Sequence, residues 1–365
     1  MWHRSITVAL QLCSIFCAAL FTTSYNHAAA SAAFTLHQVA DGVYATERNE
    51  PAGLMFDANN VFLIRDSDVV VVDSNISPDS TREVLAALRK LTDKPVRYVI
   101  NSHWHEDHIL GNSVWRDAYP GVQFIGHVQT HADLSTVGAA NRKGLLENGA
   151  GGVASLKRAI ATGKGLAGNV LTDEERVSHE SDIFLVERYL KEAGSLPIVY
   201  PDLEVAGALV LADARRPIEI RFLGAAHTRS DLVVWLPKDK LLIAGDLVVW
   251  PVPLVGSTSY PAAYADSLQQ LLNLQPKVIV PGHGPVFRDT AYVEQTLGLL
   301  KDLVAQVRAA KARGETLEQA QKSVDLSAQK QRFAGESALL KLVFDMYVQG
   351  SGVAAAYQEA ATLPL

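Results

Sequence analysis

His103-Trp104-His105-Glu106-Asp107-His108 places three imidazoles and two carboxylates within six positions. The run before it, Val96-Arg97-Tyr98-Val99-Ile100, is β-branched and aromatic and reads as a buried strand, which Asn101 and Ser102 end. The cluster therefore sits on a loop at the C-terminal edge of a strand, where open α/β sheets form their ligand sites. Its offsets fit neither one face of a helix nor one face of a strand, so the side chains must wrap around more than one point. Imidazole suits zinc, copper, iron or nickel, and the added carboxylate oxygens put zinc first. The competing reading is a histidine-rich surface loop without metal, and the rest of the chain argues against it.

Upstream, Phe34 to Val39, Val43 to Glu47, Asn60 to Arg65 and Val69 to Asp73 have strand composition, with turn signals at Asp41-Gly42 and Asp66-Ser67. They read as a β-meander. Residues Asn49 to Asn59, with Pro51, Gly53 and Met55, look like a long mobile hairpin, either a lid or a disordered loop. Ser77-Pro78 and Ser80-x-x-Glu83 are both helix starts, followed by Val84, Leu85, Leu88 and Leu91 at helical spacing.

Downstream, a short helix through Trp115 and a strand over Val122 to Ile125 lead to His127 and His131, whose isolated spacing gives little reason to place them in the site. Residues 132–195 read as a helical insertion without a ligand pattern, and His179 within it reads as solvated. Strand language returns over 209–211, 218–223, 232–236, 241–244 and 277–280. Among these, His227 follows Gly224-Ala225-Ala226, Asp246 follows Gly245, and His283 lies in Pro281-Gly282-His283-Gly284. Each potential ligand thus stands at a strand end beside glycines that let the backbone come close to an ion. Any one is ordinary, but four at equivalent places imply a common centre. The tail is helical, with a stripe of Val293, Leu297, Leu300, Val304 and Val307 and a capping box at Thr316-x-x-Gln319. The stripe serves either core packing or a homodimer through the C-terminal helices.

The 365 residues are 48% hydrophobic and 20% charged, an ordinary globular composition. The net charge of −6 offers no basic surface for nucleic acid. Residues 1–32 read as a signal peptide: Arg4, an apolar run from Ile6 to Phe21, then Ala-x-Ala patterns near Ala30. That run is somewhat short for a membrane span, so cleavage near Ala30 to Ala33 is expected, with an uncleaved anchor as the alternative and no membrane association beyond this segment. Both cysteines, Cys13 and Cys17, fall inside this segment. Cleavage would leave a chain with no disulfide, thiolate ligand or cysteine nucleophile, and loss of Arg4 would move the charge from −6 to −7. The expected location is periplasmic or secreted.

The set His103-x-His105-x-Asp107-His108, His227, Asp246 and His283, in this order, resembles the metallo-β-lactamase superfamily over about residues 35–290. The resemblance implies an α/β fold, a four-layer αβ/βα sandwich. The division expected is a domain over 33–290, including the 132–195 insertion, and a helical C-terminal extension over 291–365. It also implies that His103, His105 and His227 hold one zinc, that Asp107, His108 and His283 hold a second, and that Asp246 bridges them. Asp73 would support the site from behind the ligands, and iron or manganese are the other ions such a centre takes. Two Zn²⁺ ions sharing a water can present hydroxide at neutral pH, with Asp107 as the catalytic carboxylate orienting it.

The implied function is an exported zinc-dependent hydrolase that uses a metal-bridging hydroxide on a small-molecule ester, lactone, amide or β-lactam. A mononuclear iron oxygenase of the same fold and a non-catalytic, metal-stabilised binding protein are the alternatives. Departures narrow the substrate: many β-lactamases of the superfamily have cysteine or serine in place of Asp246, and its lactonases carry a tyrosine soon after that aspartate, where Val249 stands here. The glycine- and cysteine-rich stretch of glyoxalase II enzymes is absent after Asp246.

Overall fold

A computed structural model describes residues 33–213 and 216–362; the expected signal peptide, 1–32, lies outside the described residues. The strands are β1 (Phe34–Ala40), β2 (Val43–Arg48), β3 (Asn60–Ile64), β4 (Val69–Val72), β5 (Val96–Ile100), β6 (Gln123–His127) and β7 (Leu203–Val205), then β8 (Ala208–Leu211), β9 (Ile218–Phe222), β10 (Leu232–Leu236), β11 (Leu241–Val249) and β12 (Val278–His283). The first seven form one sheet in sequence order, antiparallel through β4 and parallel from β4 to β7. The last five form a second, ordered β12-β11-β10-β9-β8, with only β11 and β12 parallel.

Alternation along these strands gives each sheet two apolar faces. The inner faces meet in a core that includes Val61, Leu63, Val70 and Ile100 from one sheet and Ile220, Val234, Ile243 and Val280 from the other. Outside the first sheet lie helices α1 (Pro78–Leu91), α2 (Glu106–Ile109) and α3 (Asn112–Ala118). Ser77 caps α1 by accepting from the Ser80 amide at 3.2 Å, and Pro78 begins the helix, so of the two candidate starts the first is used. Val84, Leu85 and Leu88 of α1 then pack with Trp115 of α3 against Phe62, Val71 and Val99.

Residues 130–162 and 173–195 are helical: α4 (Thr130–Asp133), a π-helical segment Leu134–Gly138, α5 (Ala139–Thr162) and α6 (Asp173–Glu192), ending in a short 3-10 turn. Outside the second sheet lie α7 (Pro261–Asn273) and the tail helices α8 (Ala291–Ala312), α9 (Leu317–Ser323), α10 (Ser327–Ala334) and α11 (Ala338–Phe344), then a π-helical segment Asp345–Gly352 and α12 (Val353–Thr362). The layers run helix, sheet, sheet, helix, which is the sandwich the sequence implied. Among the described residues no helix is long and apolar enough to cross a membrane.

Three expectations need correction, and one open choice is resolved. The 49–59 segment is an irregular coil rather than a mobile hairpin. It is pinned: Asn59 N–H donates to Gly282 O at 2.8 Å, Ile76 N–H to Asp57 Oδ1 at 2.9 Å, and Leu54 and Met55 N–H both to Asp182 Oδ1. His179 is fully buried instead of solvated, because its face of α6 packs beside Asp182 under this coil. Asp246 does not end a strand; β11 runs on to Val249 through register irregularities around Gly245. The tail stripe is core: Val293, Leu297, Leu300 and Val307 are buried with Leu268 and Leu271 of α7, so it lends no support to a homodimer face.

Candidate metal centre

The site lies where β5, β11, β12 and the turn after β9 come together. Backbone hydrogen bonds fix the turn carrying the motif. Asp73 N–H donates to Ile100 O at 2.8 Å, and the Ser74 amide donates to His108 O at 2.8 Å. Asp73 adopts φ 61° at the end of β4. From there its carboxylate accepts from the Ser102 amide at 2.7 Å, the Ser102 hydroxyl at 2.8 Å and His108 Nδ1 at 2.9 Å. A left-handed aspartate is tolerated because three donors hold it. Thr228 N–H donates to Asp231 at 2.7 Å, which closes the turn that presents His227.

Seven side chains expected from the sequence converge in two nests. One gathers His103, His105, His227 and Asp246; the other gathers Asp107, His108, Asp246 and His283. In the first, His227 Nε2 is 2.9 Å from His105 Nδ1 and 3.5 Å from Asp246 Oδ2, which is 3.9 Å from His103 Nε2. In the second, His108 Nε2 and His283 Nε2 are 3.3 Å apart, 3.2 and 3.3 Å from Asp246 Oδ1, and 3.4 and 3.1 Å from Asp107 Oδ2. Asp246 thus gives one oxygen to each nest. Two donor atoms bound tetrahedrally to Zn²⁺ lie about 3.3 Å apart, so these spacings fit an ion.

The chemistry of the donors fits as well. His103 Nε2 and Asp246 Oδ1 are buried without a hydrogen-bond partner, which is costly unless something else satisfies them. The opposite ring nitrogens are engaged: His227 Nδ1 with Leu254 O at 2.9 Å, His283 Nδ1 with Asp57 O at 3.0 Å, and His108 Nδ1 with Asp73. Donation from Nδ1 leaves the Nε2 lone pair aimed inward, the arrangement of metal-binding imidazoles. His105 is reversed. Its Nδ1 faces the nest, and its Nε2 lies 3.4 Å from Thr258 Oγ1. Burial, then the neighbouring imidazoles, holds His103 well below the usual histidine range, and burial, then His227, brings His105 down to about 3. Burial pulls His283 down too, yet Asp246 and Asp107 outweigh it and push it up to about 10. Two carboxylates meeting at one point call for positive charge, and among the described residues no lysine or arginine lines the adjoining cavity to supply it.

Two glycines make the approach possible. A Cβ on Gly282 would stand 2.0 Å from Asp246 Oδ1, and one on Gly245 (φ 52°) would stand 2.6 Å from Ser102 Cβ. His127 and His131 lie outside both nests; they stack on Phe222 and Tyr200.

The ligands open into a cavity of about 410 Å³. Its walls come from the 54–56 coil, the helical insertion (Asn141, Leu145, Tyr189), the 254–258 loop and the tail (Tyr347, Ser351). Phe56 packs on His283 at 4.6 Å and also borders a neighbouring cavity of about 230 Å³. Glu106, inside the motif, is tied to the insertion: Tyr189 donates its phenol to it, and Arg142 Nε lies 3.0 Å away. The sequence reading missed Asp57, Phe56, Glu106 and Tyr347. Only Glu106 carried a local signal, its place within the histidine cluster.

The family model of the metallo-beta-lactamase superfamily matches residues 54–283. The chain belongs to that superfamily, and its fold carries a candidate His/Asp metal site. A linear primary-alkylsulfatase of Pseudomonas sp. (strain ATCC 19151) is 25% identical over 252 residues, 66% of this chain. The chain spans only 44% of that relative's length. A metallo-beta-lactamase from Pontibacter korlensis has a similar structure, with a TM-score of 0.50 at 18% identity, covering 73% of this chain and 99% of the other.

Proposed function

We propose that this chain is an exported, dinuclear zinc hydrolase that cleaves a neutral ester, lactone, amide or lactam. The observation that carries the reading is Asp246, whose two oxygens face two separate imidazole nests. His103, His105 and His227 would hold one ion and Asp107, His108 and His283 the other. Ions held there would supply an activated water at neutral pH and polarise the bond under attack. Asp107 is more exposed to the cavity than Asp246, so it is the carboxylate placed to orient that water and accept its proton. His105 belongs to the first nest and also lines the cavity, where Trp104 and Tyr189 stand on the insertion side. Export is supported by the basic, apolar and Ala-x-Ala order of residues 1–32.

Charge narrows the substrate. The lining of the 410 Å³ cavity carries Glu106, Asp107 and Asp246 but no lysine or arginine among the described residues. A substrate with its own carboxylate or sulfate therefore finds no protein cation beside the reacting bond, which disfavours acidic β-lactams. The alkylsulfatase relative makes alkyl sulfates a necessary comparison.

The test is a hydrolysis panel on the full chain: p-nitrophenyl esters, lactones, nitrocefin, a carbapenem and a primary alkyl sulfate, with and without chelator. About two zinc ions per chain and chelator-sensitive cleavage of neutral esters or lactones are expected. About one iron per chain with oxygen uptake, or hydrolysis indifferent to chelator, would sink the proposal. Asp107→Asn keeps the shape but removes both the base and a charged ligand of the second nest, so kcat should fall about 10²-fold or more and the zinc content should drop toward about one per chain.

A further inference from the structure

Tyr347 belongs to the tail, beyond the residues that the family model matches, yet it lines the cavity into which the ligands open. It lies in the π-helical segment Asp345–Gly352. Such segments are rare, and they often re-aim a side chain at a functional site. This one is built in rather than frayed. Gln321 Nε2 donates to Gly350 O at 3.3 Å, Gln349 Nε2 donates to Val324 O at 2.9 Å, and Lys330 pairs with Asp345 at 2.6 Å. Val348 and Gly352 are buried, and a Cβ on Gly352 would stand 3.2 Å from Val255 Cβ, so the segment is wedged against the loop that walls the site.

The phenol of Tyr347 is barely engaged. Its hydroxyl reaches Leu54 O at 3.5 Å, too long to count as a good hydrogen bond. Other hydroxyls on the same wall are committed: Tyr189 donates to Glu106, and Ser351 donates to Met346 O at 2.6 Å. Resting on the hydrolase reading above, we propose that Tyr347 is a catalytic residue. It donates its phenolic hydrogen bond to the substrate oxygen on which negative charge develops. No proton is transferred and no bond to the tyrosine forms; the phenol acts as a hydrogen-bond donor from the cavity wall. Burial, then the carboxylates Asp182 and Asp107, keeps this phenol above its usual range, so it stays protonated and can donate.

Tyr347→Phe keeps the ring and removes the donor. It is compared with wild type as zinc-loaded full chain, on p-nitrophenyl acetate and on phenylphosphonate, a tetrahedral anion whose binding is read without turnover. The expected result is a kcat lower by about 10²-fold with KM within about threefold, at unchanged zinc content and Tm. Phenylphosphonate affinity should weaken about tenfold. Tyr347→His restores a ring N–H and should recover part of the loss; it decides the matter should the Phe variant fail to fold. Wild-type kcat and phosphonate affinity in the Phe variant would overturn the role, as would an activity loss that only tracks lost zinc. A wild type that neither cleaves the ester nor binds the phosphonate overturns the hydrolase reading itself, and this assignment with it.

Discussion

Asp246 and Gly282 show how little room the centre leaves. A carboxylate buried between two imidazole nests must sit where both oxygens face donors, and the neighbouring strand makes way only because residue 282 lacks a Cβ. Gly282→Ala should push Asp246 out of place and empty both nests together; metal analysis showing full zinc retention would contradict this. Asp73 acts one layer back, with its carboxylate shared among the Ser102 amide, the Ser102 hydroxyl and His108 Nδ1. Asp73→Ala should therefore weaken zinc about 10–100-fold in competition with a chelator, with every ligand residue retained. These roles follow from burial: a buried imidazole needs a partner on its far nitrogen, or it presents the wrong tautomer.

At the scale of elements, one carboxylate joins the insertion to the coil over the site. Asp182 of α6 accepts from Leu54 at 3.0 Å and from Met55 at 2.9 Å, with Ser178, His179 and Tyr347 around it. Burial outweighs these hydrogen bonds and pushes the Asp182 carboxyl up to about 6. The folded state therefore holds this proton more tightly than the unfolded chain does. The stability it contributes is complete below about pH 4 and is lost as pH rises through 6. Asp182→Asn still offers an oxygen to both amides but cannot ionise. The stability difference between variant and wild type should grow in the variant's favour between pH 4 and 7, by on the order of 2–3 kcal/mol. Urea midpoints across that range would measure it, and parallel curves would count against the account. Strand β11 makes a similar point about elements: its run of apolar residues continues past Asp246, so a local pattern reads the aspartate as a terminus when it is an irregularity inside a strand.

For the whole molecule, the tail is structural and also part of the cavity. Leu297, Leu300, Leu303, Phe344 and Val348 pack on Val255, Leu268 and Leu271, so ending the chain at residue 290 would expose the outer face of α7. That truncated chain should aggregate, since burying each such side chain is worth roughly 1.5–3 kcal/mol. A soluble truncation with an unchanged Tm would refute this. The insertion closes the opposite wall through Tyr189, and the pinned coil closes the top through Met55 and Phe56. The centre is therefore enclosed by three segments that are far apart in sequence.

The sequence alone determined the strands, the helix starts and the potential ligands beside them, because these are written locally; the sandwich followed from the resemblance that the ordered motif set carries. Strand alternation, helix caps and histidine spacing each act over a few residues, and glycines beside a ligand mark close approach. Only the tertiary structure decided what surrounds the centre. Asp57 acts on His283 through its carbonyl, a group every residue carries, so nothing in its identity announces the role. Tyr347 sits 64 residues after His283 in a helical stretch that reads as packing, and its place depends on how the tail folds back. His179 has a polar side chain, and local pattern sends it to solvent until the coil above covers it. Contacts between distant segments are chosen by the burial of whole faces, and no short stretch of the chain encodes that choice.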